Sequence, residues 1–477
     1  MAACRESSDF LTFQLRDNPA FVISYYKSLV NPDTVNQEIL SALSDKKLPD
    51  LPTIKEQLPI EDLSILDNVS EIQDKLMTGC AMIHQKKAPK DGLLIPAPAL
   101  EKRQVNVPET EYSVLGPKEA FVESLDTNIN LVRKRLPIPE LHMKEIKAGR
   151  LSKTRVKVAY IAGIASQENV NTIIQRIQSI EYDHIPDSSF ISQMIVDNRN
   201  SPFPQIIDTE RPDRVASSLA EGKIAVFVDG SPHVLTAPTT LTEFFSAYDD
   251  YFYTWNIASV FRLIRLFAVT FSVISTPAYV AVLTYHYEMI PQDLLNTLVS
   301  SRSGIPFPPI LEALILELTI ELLREAGARL PTKVGQTIGI VGGIVIGTAA
   351  VQAGLTSNVL LIVVALSALA SFTTPVFQIS NVIRLLRFPF LVFAQLLGLV
   401  GIAVCFAFVL VHLLKLSSIG RPFLTPVYPL RTRDLKDALF RLPFDRQNYR
   451  PLITRAEDKV RFQRQPRSKN DWDIEES

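Results

Sequence analysis

Val334-Gly-Gln-Thr-Ile-Gly-Ile-Val-Gly-Gly-Ile-Val-Ile-Gly-Thr348 opens the stretch that decides the fold. Residues 334–383 are fifty consecutive positions without Asp, Glu, Lys, Arg or His. Residues 266–285 and 388–411 are equally free of charge. A hydrocarbon core about 30 Å thick is crossed by about 20 apolar residues in a helix. Charged residues make up 21% of the 477, yet mean hydropathy is +0.15, so the apolar residues are concentrated in a few segments. The chain reads as a membrane protein. Spans are placed at about 264–285, 334–352, 356–375 and 389–414. A further segment, 305–323, begins with Pro306-Phe-Pro-Pro309 and carries Glu312, Glu317 and Glu321. It reads as re-entrant or interfacial, giving four or five spans.

The topology follows from parity. Met1-Ala-Ala-Cys-Arg-Glu-Ser-Ser-Asp lacks the charged-then-apolar order of a signal peptide, so the first 260 residues are expected on the cytoplasmic side. Four spans return the tail, with fourteen Lys/Arg against nine Asp/Glu over 415–477, to that side, as the positive-inside rule prefers. The same count leaves Arg324, Arg329, Lys333, Arg384 and Arg387 facing outward. Tyr251, Tyr253 and Trp255 suit a headgroup-level aromatic belt.

Other classes drop out. With 49 Lys+Arg against 50 Asp+Glu, there is no basic excess for nucleic acid. Cys4, Cys80 and Cys405 share no metal-ligand spacing and make no disulfide framework. The sequence holds no phosphate loop, no nucleophile elbow and no His-Glu-x-x-His, so neither an enzyme nor a cofactor is expected.

The soluble part divides into two α/β subdomains, 1–110 and 111–255, followed by a helical membrane domain at 256–415 and a cytoplasmic tail at 416–477. Apolar spacing predicts a helix over 59–77, then a strand in Gly79-Cys-Ala-Met-Ile-His84, then a hairpin or linker over 88–104. In the second subdomain, strands at 156–162 and 223–228 alternate with helices at 167–180 and 185–195. Gly116-Pro-Lys-Glu-Ala-Phe-Val-Glu-Ser-Leu-Asp126 reads as a turn into a helix capped by Asp126 or Thr127.

Gly335, Gly339, Gly343 and Gly347 stand four apart, a spacing that strips side chains from one helical ribbon and lets another helix approach closely. The neighbouring ribbon of Gln336, Ile340, Ile344 and Thr348 suits a pore face with a hydrophobic constriction. Simple helix packing explains the glycines about equally well. Glu317, Glu321 and Glu325 share a stripe and Glu312 points elsewhere. Glu325–Arg329 and Glu321–Arg324 would be local ion pairs on an interfacial helix, whereas Glu312, Glu317 and Glu321 at membrane depth would be candidates for a cation pathway.

Gly116-Pro-Lys-Glu-Ala-Phe-Val-Glu123, Ser201-Pro-Phe-Pro-Gln205, Thr209-Glu-Arg-Pro-Asp213, Asp229-Gly-Ser-Pro232, Pro306-Phe-Pro-Pro-Ile-Leu-Glu-Ala313, Glu321-Leu-Leu-Arg-Glu-Ala-Gly327 and Val334-Gly-Gln-Thr-Ile-Gly339 resemble the A subunit of GerA-type nutrient germinant receptors of endospore-forming bacteria. The resemblance runs from about 110 to 450. It implies a multi-pass protein of the spore inner membrane, with a transporter-like B subunit that senses the nutrient and a lipoprotein C subunit as partners. It also implies a homo-oligomer, a pentameric ring, that releases monovalent cations. The glycine-rich helix would line that pore, with Ile344 near its narrow part. The alternative is a non-conducting scaffold that couples the sensing partner.

Overall fold

A computed structural model describes residues 4, 6–16, 18–44, 48–86, 91–99, 108, 111, 115–331, 342–343 and 345–462. The first subdomain is an antiparallel sheet in the order β1-β2-β4-β5-β3. Its strands are β1 (Phe10–Gln14), β2 (Phe21–Tyr26), β3 (Ser64–Leu66), β4 (Cys80–Gln85) and β5 (Gly92–Pro96). Helices α1 (Leu51–Gln57) and α2 (Val69–Met77) cover its two faces. The expected helix over 59–77 therefore forms only over Val69–Met77, with a three-residue strand, Ser64–Leu66, ahead of it. Pro59 and the left-handed backbone at Asp62 (φ 60°) break the helical run, and Ser64–Leu66 pairs with β5 at the sheet edge.

The second subdomain has α3 (Leu125–Arg135), β6 (Leu141–Ala148), β7 (Thr154–Ile161), α4 (Gln167–Gln178), α5 (Ser188–Ile195), β8 (Ile207–Thr209), α6 (Pro212–Ala220), β9 (Ile224–Val228) and β10 (Val234–Ala237). Its sheet order is β6-β7-β9-β10-β8. β7 and β9 alternate faces. Val156, Val158, Ile224 and Val226 meet α4 and α5 on one side, while Ala159, Ile161, Ala225 and Phe227 meet α3 and α6 on the other. Burial on both faces explains why these strands read as unbroken apolar runs. Helices and strands do alternate, yet every pairing among the described strands is antiparallel. Neither Asp126 nor Thr127 caps α3. The Ser124 hydroxyl accepts from the Thr127 N–H at 3.5 Å, and Asp126 faces Arg155 at 3.2 Å.

The subdomains are joined by one buried ion pair. Both guanidinium donors of Arg133 lie 2.7 Å from Asp9, which also accepts from the hydroxyls of Ser7 (2.5 Å) and Ser28 (2.7 Å). The Tyr26 ring lies 4.3 Å from the same guanidinium.

The helical part holds α7 (Trp255–Tyr285), α8 (Gln292–Arg302), α9 (Pro309–Arg329), α10 (345–352), α11 (Asn358–Ser371) and a long segment Phe377–Lys415. Among the described residues, two helical segments, Trp255–Tyr285 and Phe377–Lys415, are long and apolar enough to cross a membrane. The second is not one straight helix. Gly398 has φ 64° and ψ −141°, and the chain reverses there. The rings of Phe393 and Phe408 lie 6.2 Å apart, although 15 residues of straight helix would separate them by about 22 Å. Two arms, α12 (377–397) and α13 (399–415), thus run antiparallel. A Cβ on Gly401 would sit 1.9 Å from the Phe393 carbonyl oxygen, so only glycine permits the return. The expected single span over 389–414 is therefore a hairpin.

Contacts give each helix a direction. The soluble region touches the start of α12 (Gln378 to Asp208, 3.0 Å) and the end of α13 (His412 with Ser201, 2.8 Å). The hairpin tip meets the far end of α7, where the Tyr285 hydroxyl donates to the Gln395 carbonyl at 2.8 Å. The last turns of α9 return to the soluble end, where Arg324 donates to Asn381 at 3.3 Å. Arg324 and Arg384 therefore do not face outward, as the expected topology required. The tail does not stand apart either. Ser418 donates to the Gln205 carbonyl at 2.6 Å, Arg421 to Asn169, and Asn169 in turn to the Thr454 carbonyl at 3.0 Å. Residues 416–462 strap the helices to the second subdomain.

Candidate functional site

Glu312 and Glu317 of α9 are buried in the bundle and Glu321 is half-buried, and a carboxylate there must be paired to avoid a large desolvation cost. All three candidates are. Glu312 lies 2.9 Å from Arg302 and accepts from the Ser357 N–H at 3.1 Å. Glu317 lies 3.0 Å from Arg387 and accepts from the Thr276 hydroxyl at 3.0 Å. Arg387 donates further to the Ser272 hydroxyl (2.5 Å) and the Ser367 carbonyl (2.8 Å). One buried node thus ties α7, α9, α11 and α12 together. Glu321 is half-buried, bonded to Arg324 and 3.9 Å from Arg384. Glu325 lies on the exposed side with Arg329 at 2.6 Å. Both local pairs expected from the sequence form. The partners Arg302, Arg384 and Arg387 were out of reach of sequence reasoning, because 10 to 70 residues separate each from its glutamate.

Of the glycine helix, Gly335, Gln336, Gly339, Ile340 and Ile344 lie outside the described residues. Gly347 meets Leu361 at 3.8 Å, an ordinary packing distance. A Cβ on Gly343 would meet nothing within 4 Å among the described residues, so no packing role is seen for it there. The close approach belongs instead to Gly342, whose Cβ would lie 2.7 Å from Leu323. Thr348 is exposed, with its hydroxyl on the Val345 carbonyl at 3.2 Å.

A second cluster sits where α7 leaves the soluble region. Arg262 and Arg265, three apart and so on one helical face, converge on buried Asp250. Arg262 lies 3.0 Å from one carboxylate oxygen and Arg265 bonds the other. Asp437 of the tail reaches Arg262 at 3.1 Å and accepts from the Tyr251 hydroxyl at 2.7 Å. Arg441 donates to the Asp250 carbonyl at 2.7 Å. Tyr251 is therefore an internal contact rather than a member of an aromatic belt. Two arginines just ahead of an uncharged run were the sequence signal for this junction.

A model of the family described as Bacillus/Clostridium GerA spore germination protein matches residues 2–453. Spore germination protein GerQA of Bacillus cereus is 50% identical over 471 residues, 98% of this chain and 94% of that one. Spore germination protein GerIA of Bacillus cereus is 46% identical over 455 residues, 95% of this chain and 68% of that one. The crystal structure of the N-terminal domain of the A subunit of the Bacillus megaterium spore germinant receptor GerK3 aligns with 50% of this chain and 91% of that one, at 30% identity and a TM-score of 0.36. With the family pattern running through both subdomains, the bundle and the strap, the chain belongs to the GerA family of spore germination proteins, as the A subunit of a germinant receptor.

Proposed function

We propose that the chain is a multi-pass subunit of the spore inner membrane that assembles with copies of itself into a nutrient-gated cation channel, alongside a transporter-like B subunit and a lipoprotein C subunit. On this reading it is not an enzyme. The observation that carries the proposal is exposure in one chain: Gly343, Val345, Ile346 and Thr348 are solvent-exposed at and just before the start of α10, in the stretch whose glycine spacing suits close helix packing. A ring of copies would cover these residues and place Ile340 and Ile344 at a narrow, apolar throat that conducts when it wets. Among the described residues the helix directions support six passages: α7, α10 and α12 outward; α9, α11 and α13 back. Six is even, so the tail returns to the soluble side, with Arg324, Arg329 and Arg384 at that same end. Seven-tenths of the 31 residues of α7 would span the hydrocarbon, leaving Arg262 and Arg265 at its edge.

Pairing of Glu312, Glu317 and Glu321 with arginines argues against a bare acidic ring, and assigns these groups to holding the bundle. The same pairing favours the scaffold reading as the alternative. Ion flux through purified protein in liposomes, with and without the B and C subunits, separates the two. Ile344→Ala is expected to leak monovalent cations without nutrient; tight vesicles with the variant inserted and assembled would remove conduction from this chain.

A further inference from the structure

A cavity of about 590 Å³ is walled by α6, the lead-in to α7 and the tail strap. That volume is in the range of small-molecule sites, about 300–1,000 Å³. Its charges are unevenly matched. Every lining cation already has an anion: Arg214 lies 2.6 Å from Glu111, Arg461 2.8 Å from Glu221, Arg450 2.7 Å from Asp458, and Lys223 bonds Glu243. Asp437 is committed to Arg262 and Tyr251. Asp434 is left over. Its carboxylate accepts the Leu452 N–H at 3.0 Å and, among the described residues, makes no direct ion pair, although the charges of Arg431 and Arg433 act on it from further away.

Aromatic rings of Tyr248, Tyr251 and Phe252 line the same space, with the hydroxyls of Ser217 and Ser218. A carboxylate without a direct ion-pair partner, in a cavity also lined by aromatic faces, suits an ammonium group carrying an apolar body. A metal ion is a poorer fit, since no group of three or more His, Cys, Asp or Glu among the described residues is placed to hold one.

We infer that this cavity binds a small organic amine, its ammonium on Asp434 and its apolar part against Tyr248 and Phe252. Burial raises the carboxyl of Asp434 above its ordinary value, with Arg431 and Arg433 offsetting only part of this, so it gains from a cation brought into direct contact. Asp437 and Tyr251, on the cavity wall, also hold Arg262 of α7, so an occupant touches the junction between the soluble region and the helices. The inference is independent of conduction and survives its failure.

The test uses the full chain in detergent, titrated calorimetrically with benzylammonium, benzyl alcohol and benzoate. The amine is expected to bind at least about tenfold more tightly than the alcohol or the acid, the factor that one charge-assisted hydrogen bond supplies. Asp434→Asn keeps an acceptor for Leu452 and is expected to erase that preference without moving the melting temperature. Ser218→Trp, which fills the space and spares Asp434, is expected to abolish binding of all three. Equal binding of the three compounds, no binding of the amine, or an Asp434→Asn chain that binds it like the parent would each overturn the site.

Discussion

Arg387→Met tests whether the Glu317 node holds the bundle. The guanidinium is 2% exposed and its carboxylate partner 4%. Methionine fills similar volume but strands the carboxylate, and leaves the Ser367 carbonyl and the Ser272 hydroxyl without their donor. Removing one member of a buried pair costs about 3–5 kcal/mol. On the scale for a domain of this size that is a fall of about 6–20 °C in melting temperature. Replacing both members, Glu317→Leu with Arg387→Met, removes the stranded charge and is expected to restore most of the loss, because an apolar pair of matched volume is often neutral relative to a buried ion pair. Cys405 is free and buried between the hairpin arms, so a thiol-reactive dye in a chain stripped of Cys4 and Cys80 reads opening of the bundle directly. If the single variant melts within about 2 °C of the parent, or if the double variant is no better than the single, the node is not what ties the helices.

Gly401→Ala is expected to prevent closure of the α12–α13 hairpin, since its Cβ would collide with the Phe393 carbonyl, while Gly343→Ala meets nothing and leaves the single-chain fold intact. Protease protection of the tail strap reads the difference, and equal protection in the two variants would refute the hairpin. Asp9 gives the pH dependence. Burial raises its carboxyl, but Arg133, with Ser28 and Ser7, more than offsets this and holds it below the ordinary carboxylate value. A depressed folded value means the ion pair's stability is full above the unfolded value near 3.9 and is lost as pH falls through the folded one. Asp9→Asn should therefore cost about 3 kcal/mol near pH 6 in urea unfolding of the intact chain, with the gap to the parent closing below about pH 4. A gap that stays constant with pH would show that the charge of Asp9 is not the cause.

Where a reading depended on neighbours in sequence, it held in particular places. β7, β9 and α4 follow the run Val156–Ile161, the run Ile224–Val228 and the spacing of Val170, Ile173 and Ile177, because burial on both strand faces and on one helical stripe is written residue by residue. The helix expected over 59–77 held over Val69–Met77 but not ahead of it, where Ser64–Leu66 fit a strand once β5 lay beside them. Residues 389–414 failed because hydropathy has no direction. In the sequence Gly398 and Gly401 look like other glycines of apolar helices; the structure sets them apart by the positive φ of Gly398 and by what lies opposite the two, His286 and the backbone of Phe393.

The sequence alone determined that this chain is a membrane-associated protein with an α/β front half, and its motifs carried the family, because hydropathy, periodicity and short signatures are local. Only the tertiary structure decided that Glu317 meets Arg387, that Asp250 gathers Arg262, Arg265 and the tail, and that the long apolar segment turns back on itself. Those pairings join residues far apart in the chain, and a charge reveals its partner only when folding has brought the two within a few ångströms in a medium too poor in water to screen them.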